Sequence, residues 1–144
     1  MAASILIVED NPNSLELMTY LLGTRGHLGL CAGTGAEALQ LARTEPADLV
    51  LLDLQLPDLD GYQVLRQLRA MPGFARTKII AVTAVAMLGD RERTLAAGFD
   101  HYIPKPINPR TFVQEVERWL PVKQSKNADT PGGMRTLWRV GGRD

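Results

Sequence analysis

The chain of 144 residues has a single cysteine, two histidines and eight aromatic residues, and it carries no net charge. Each shortage excludes something. Cys31 has no partner within the chain for a disulfide, which fits a reducing cytosol and a cytoplasmic protein. No histidine or cysteine stands beside the carboxylates Glu9, Asp10 and Asp53, which points away from zinc there. The longest apolar stretch, around Leu49 to Leu52, is far too short to span a bilayer, and no signal peptide is visible. Sixteen basic and sixteen acidic residues do not make a nucleic-acid-binding body. The balance is uneven along the chain: residues 121–144 carry a net of +3 and the remainder −3. What the sequence does have is 45% hydrophobic residues, enough for the core of one ordinary domain.

Those residues fall into short apolar runs alternating with amphipathic stretches. Ser4-Ile-Leu-Ile-Val8 reads as a buried strand ended by two carboxylates. Asn11-Pro12 then reads as an N-cap with proline at the first helical position. Leu15, Met18, Leu21 and Leu22 mark the inner face of that helix, which should finish near Gly26. Leu28 to Ala32 is a weaker strand, and Ala36, Leu39 and Ala42 mark a second helix closed by Pro46. Asp48-Leu-Val-Leu-Leu-Asp53 is apolar throughout, as a central parallel strand should be. Val64, Leu65 and Leu68 face a third helix inward, broken at Met71-Pro72-Gly73. Lys78 to Val82 is strand four, a more polar helix runs from about Met87 to Ala97, and Asp100 to Ile103 is strand five. Asn108-Pro109 repeats the cap signature before a last helix with Phe112, Val113, Val116, Trp119 and Leu120 on one face. Strict strand–helix alternation predicts a doubly wound α/β fold: a parallel five-stranded sheet covered on both sides, with right-handed crossovers.

Folds of this kind bind ligands beyond the carboxyl ends of their strands. The residues there are Glu9-Asp10, Asp53, Thr83 and Lys105, each polar and each following an apolar run. Three converging carboxylates repel one another and call for a cation. Oxygen-only ligation points to Mg²⁺ or Mn²⁺. The hydroxyl of Thr83 and the ammonium of Lys105 suit the oxygens of a transferring phosphoryl group, a reaction that needs mainly positioning and charge neutralisation. Asp53, at the end of the central strand, is the natural carboxylate nucleophile.

In that order and at those strand ends, Glu9-Asp10, Asp53, Thr83 and Lys105-Pro106 resemble the conserved set of bacterial response-regulator receiver domains. Asp53-Leu-Gln-Leu-Pro-Asp-Leu-Asp-Gly61 resembles the loop after that family's phosphorylated aspartate, and the likeness covers roughly residues 4–120. The resemblance implies a flavodoxin-like (βα)5 three-layer sandwich of strand order 2-1-3-4-5. It makes Asp53 the phosphoacceptor, with Asp10 and Asp53 direct ligands of Mg²⁺, Glu9 a ligand through water, and the Gln55 backbone carbonyl the last protein ligand. It pairs Lys105 with Asp53 and then with the phosphoryl oxygens, moves Thr83 and Tyr102 inward as the switch, and makes the bond to Pro106 cis. The partners it implies are a sensor histidine kinase or histidine phosphotransfer protein and a downstream protein target reached through the helix 4–strand 5–helix 5 face, which would include Arg91, Arg93, Tyr102 and Arg110. It implies no direct nucleic-acid or membrane contact, and a monomer or weak homodimer.

The domain is then 1–120, with 121–144 a basic, Gly-rich tail too short for a DNA-binding effector domain; its Met134-Arg-Thr-Leu-Trp-Arg-Val140 stretch could form one apolar helical face. The stretch Ala81-Val-Thr-Ala-Val-Ala-Met87 with Gly89-Asp90 is most similar to single-domain regulators and receivers of hybrid kinases. Gln55 and Val85 occupy positions that tune phosphoryl lifetime in the family, and Val85 has no hydrogen bond to offer an attacking water. The competing reading is a Mg²⁺-dependent phosphatase with an aspartyl nucleophile. Such enzymes commonly carry an aspartate two residues after the nucleophile, where this chain has Gln55. Tyr102 could also be an ordinary half-buried tyrosine. Cys31 reads as a small buried hydrophobe, His27 and His101 as solvated loop residues, and Asp58 and Asp60 as turn and cap residues.

Overall fold

The structure, a computed structural model, describes residues 2–84 and 90–121. The elements alternate as the periodicity requires: β1 (Ser4–Val8), α1 (Pro12–Gly23), β2 (Leu28–Ala32), α2 (Gly35–Thr44), β3 (Leu49–Leu52), α3 (Gly61–Arg69), β4 (Lys78–Thr83), α4 (Asp90–Ala96), β5 (His101–Pro104) and α5 (Phe112–Arg118), with a short 3₁₀ turn at Pro72–Phe74. All strand pairings are parallel, in the order β2-β1-β3-β4-β5. β3 is central and fully buried, which accounts for its unbroken apolar run. This is the flavodoxin-like sandwich.

Alternation along each strand divides the core between the two faces of the sheet. On one face Leu6, Val8, Val50, Leu52, Ile79 and Ala81 pack against Leu39 of α2 and Val64, Leu65 and Leu68 of α3. On the other, Ile5, Ile7, Leu49, Leu51, Ile80 and Val82 pack against Met18 and Leu22 of α1 and Phe112 and Val116 of α5. Burial of a large aliphatic side chain is worth roughly 1.5–3 kcal/mol. Each strand is thereby held in register, and every strand's carboxyl end arrives at the same edge of the sheet.

Capping fixes where the helices begin. Asn11 accepts from the Ser14 amide at the start of α1, with Pro12 in the first turn. Asp60 and Gln63 close a reciprocal capping box on α3. At the other end of the chain the cap reading needs correction. The Asn108 side chain accepts from the Arg110 amide, and its carbonyl accepts from Thr111 and Phe112, so a separate turn precedes α5, which starts at Phe112. In α2, Ala36 is exposed in the first turn, and the inward face is Ala38 and Leu39 with Leu41 and Ala42. The start of the fourth helix at Met87 lies outside the described residues, as does the tail beyond Pro121.

Three side chains sit in surroundings other than those expected. Cys31 is exposed, because β2 is an edge strand. His27 has no exposed side-chain surface. Gly26, at φ +83°, turns the chain back beneath β1, so that His27 Nδ1 accepts from the Ala3 amide (3.0 Å) and Nε2 donates to Glu117 of α5 (2.7 Å). His101 is half-buried, stacked on Trp119 with ring centroids 5.3 Å apart and bonded to Glu115 (3.1 Å). In both cases α5 covers a ring that the local sequence placed in a loop.

Candidate phosphoacceptor site

The functional cleft forms where β1, β3, β4 and β5 end together. β1 leads directly into Glu9 and Asp10, and β3 into Asp53. Glu9 is 1% exposed and Asp53 5%, whereas Asp10 is exposed at the rim. Ligand oxygens of the three carboxylates all lie within 4.8 Å of one another. The Lys105 ammonium reaches in from β5, 2.9 Å from Asp53 Oδ2, and lies against Glu9 Oε1 as an ion pair. The opposite oxygens are oriented by backbone: Glu9 Oε2 accepts from the Asn11 amide and Asp53 Oδ1 from the Gln55 amide, both at 3.0 Å.

Charge in the cleft is under-compensated. Burial pushes the Glu9 carboxyl above its ordinary value, against the lowering hydrogen bond from Lys105. Burial would lower the Lys105 ammonium, but the hydrogen bonds it donates to Glu9 and Asp53 outweigh it and hold the ammonium above its ordinary value. Three carboxylates therefore share one lysine. Buried Glu9 Oε1 has the Lys105 ammonium as its sole partner among the described residues. A close set of oxygen donors, one cation short, fits a hard divalent ion such as Mg²⁺.

Thr83 ends β4, fully buried, and its carbonyl accepts from the Lys105 amide (3.0 Å), which ties the hydroxyl-bearing strand to the lysine-bearing one. The Lys105–Pro106 peptide bond is cis. Tyr102 stands apart from the carboxylates, buried in the core on the α3 side. Burial and the nearby charge of Asp90 raise its phenol above its ordinary value. Val85 lies outside the described residues.

Two supporting residues are more specific than their sequence reading. Asp58 caps not its own helix but α2, accepting from the amides of Gly35 (2.8 Å) and Ala36 (3.0 Å); these bonds hold its carboxyl below the ordinary range. Gly61 donates to the Leu54 carbonyl (2.9 Å), and a Cβ there would stand 2.7 Å from the Asp53 carbonyl oxygen and from Leu54 Cα. Only glycine lets α3 begin so close to the Asp53 loop. The sole sequence signal for this was Asp60-Gly61 beside the cleft motif.

A flavodoxin-like sheet with an acidic cluster, a lysine and a hydroxyl at its carboxyl edge defines a class of phosphorylation-controlled switches, and residues 5–117 match the response regulator receiver domain family. The chain belongs to that family: it is a receiver in two-component signalling, a signalling switch rather than a turnover enzyme. It is 38% identical over 120 residues to the polar-differentiation response regulator DivK of Brucella ovis, an alignment covering 83% of this chain and 98% of DivK. Among solved structures it is similar to the receiver domain of sensor histidine kinase PA1611 from Pseudomonas aeruginosa, with 36% identity and TM-score 0.75, covering 83% of this chain and 98% of that one. That structure has a magnesium ion coordinated in its active-site cleft. A CheY-like receiver from Methanospirillum hungatei is 34% identical with TM-score 0.72, over 82% of this chain and 93% of that one. Family and donor set agree that Mg²⁺ is the cofactor of this cleft, and the phosphatase alternative falls away. Among the described residues no helix is long and apolar enough to cross a membrane.

Proposed function

We propose that Asp53 is the phosphoacceptor, and that the remaining cleft residues divide the work of loading and reading it. The observation that carries this reading is the buried Asp53 carboxylate held between the Lys105 ammonium on one oxygen and the Gln55 amide on the other. Asp53 Oδ attacks the phosphorus of a phosphohistidine, the P–N bond breaks with its electron pair passing to the imidazole, and an acyl phosphate forms. Asp10, Asp53 and the Gln55 carbonyl would hold Mg²⁺, with Glu9 acting through water, and the chemistry the ion would supply is neutralisation of charge on the transferring oxygens. Lys105 exchanges its bond to Asp53 for one to the phosphoryl group. Thr83, at the end of β4, donates its hydroxyl to another phosphoryl oxygen.

The phosphodonor is a sensor histidine kinase or a histidine phosphotransfer protein. Its docking surface is the groove of about 360 Å³ beside the cleft, between Ser14, Leu17 and Met18 of α1 and the Lys105–Ile107 loop. Output runs through α4, β5 and α5, where phosphorylation draws the Thr83 hydroxyl toward the phosphoryl group and holds the already buried Tyr102 ring inward, shifting a pre-existing equilibrium for a protein target that meets Arg91, Arg93 and Arg110. The domain is 1–120, and the chain works in the cytoplasm. Incubation with acetyl phosphate and Mg²⁺ tests the reading: intact mass should show one phosphoryl adduct, absent without Mg²⁺ and absent from Asp53→Asn. An adduct that persists in Asp53→Asn, or none in the wild-type chain, would overturn it.

A further inference from the structure

The loop that carries Asp53 is tied to a helix that lends no residue to the cleft. Residues 53–61 are closed at the foot. There the Gly61 amide donates to the Leu54 carbonyl (2.9 Å), and Gln55 and Asp60 face each other as an antiparallel bridge. The crest, Leu56-Pro57-Asp58-Leu59, rests on α2. Both carboxylate oxygens of Asp58 are engaged, Oδ1 by the Gly35 amide (2.8 Å) and Oδ2 by the Ala36 amide (3.0 Å). Leu59 closes against the same turn, where a Cβ on Gly35 would stand 2.9 Å from Leu59 Cβ. α2 already has an ordinary cap, since Thr34 Oγ1 accepts from the Glu37 amide (3.1 Å). What the Asp58 fork adds is a joint between distant segments, made by a charged acceptor at the positive end of a helix.

We propose that Asp58 is a positioning residue for the metal and the phosphoacceptor, acting through the Gln55 peptide. Gln55 is exposed, so its own side chain does little to fix that peptide by packing. The peptide nevertheless serves the cleft twice. Its amide holds Asp53 Oδ1 (3.0 Å). Its carbonyl is the last protein donor to Mg²⁺ in the proposed function, on which this inference rests. The bridge to Asp60 ties one side of Gln55 to the capped start of α3. The other side runs into the crest, which Asp58 fastens three residues on to a helix anchored in the core by Ala38 and Leu39. Cutting the fork lets the crest tilt away from α2, and the Gln55 carbonyl turns with it. Outer groups in direct contact with a metal ligand are worth about tenfold to a hundredfold in affinity. Acting at one remove, Asp58 should be worth about threefold to tenfold.

Calorimetric titration of the full 144-residue chain with Mg²⁺, in the absence of any phosphodonor, reads the effect as binding. Asp58→Ala should raise the Mg²⁺ dissociation constant about threefold to tenfold. Asp58→Asn keeps an acceptor oxygen for one of the two amides and should raise it less. In the metal-free chain, hydrogen exchange at the Gln55 amide should quicken in Asp58→Ala, because the loop loosens before any ion binds. Thr34→Ala is the control for plain destabilisation of α2. It removes the other cap of the same turn and leaves both Asp58 bonds in place. It should lose comparable stability in denaturation, with Mg²⁺ affinity and Gln55 exchange unchanged. Wild-type Mg²⁺ affinity in Asp58→Ala, or an equal loss of affinity in Thr34→Ala, would overturn the proposal alone. A wild-type chain that takes up no Mg²⁺ would overturn the reading of the cleft and this proposal with it.

Discussion

Replacing Gly61 by alanine is the sharpest test of how the scaffold positions Asp53. The added Cβ would lie 2.7 Å from two backbone atoms, Asp53 O and Leu54 Cα, and 2.9 Å from Leu54 Cδ2. Ordinary contact begins near 3.4 Å, so α3 and the Asp53 loop must separate by about 0.7 Å. Neither side gives easily. The loop continues β3, buried between two layers, and α3 is anchored by Val64, Leu65 and Leu68. Overpacking of this kind costs about 1–3 kcal/mol, and a misplacement approaching an ångström costs about tenfold to a hundredfold in a positioned transfer. Gly61→Ala should therefore lower both the unfolding free energy and the rate of phosphorylation from acetyl phosphate, followed by intact mass against time. Gly73→Ala is the control, since a Cβ there meets nothing within 4 Å; it should leave both within error or gain stability slightly. Wild-type rate and stability in Gly61→Ala would refute the positioning argument.

Two further outcomes follow from the electrostatics. Mg²⁺ at about a hundred times its dissociation constant should stabilise the fold by about 2.7 kcal/mol in chemical denaturation. Asp10→Asn, at an exposed position, should keep the metal-free stability and lose most of that increment. At the opposite end of the sheet, hydrogen bonds from His27 and Arg25 outweigh burial and hold the Glu117 carboxyl below its ordinary 4.5. A depressed carboxyl contributes stability above its unfolded value and loses it as pH falls through the folded one. Denaturation across roughly pH 3–6 should therefore show an acid limb that Glu117→Gln shortens, and an unchanged limb would remove Glu117 as its source.

Much of this was legible in the chain because the same residues carry local and global information. The apolar run of β3 can be satisfied only in the middle of a covered sheet, and the polar residue after each strand lands at one edge because all strands are parallel. That brings Glu9, Asp10, Asp53, Thr83 and Lys105 to one edge of the sheet. What escaped were contacts made between distant segments. His27 looked like a loop residue because its burial comes from Ala3 and Glu117, which lie 24 and 90 residues away. Cys31 looked buried because its strand is apolar, and only strand order reveals it as an edge. Asp58 is adjacent to α3 in sequence but caps α2 through space. The Asn108 turn shows a side chain competing with the helix for the same amides, a balance that the Asn-Pro signature alone does not decide.

The phosphoryl group should arrive on Asp53 and on no other side chain. Borohydride reduction of the chain after acetyl phosphate and Mg²⁺, followed by peptide sequencing in the mass spectrometer, reads the site directly, because an aspartyl phosphate is reduced to homoserine where it stood. Homoserine at position 53 alone, dependent on Mg²⁺, is the predicted result; homoserine at Asp10 or Glu9-derived reduction product, or an adduct that survives borohydride intact, would contradict it.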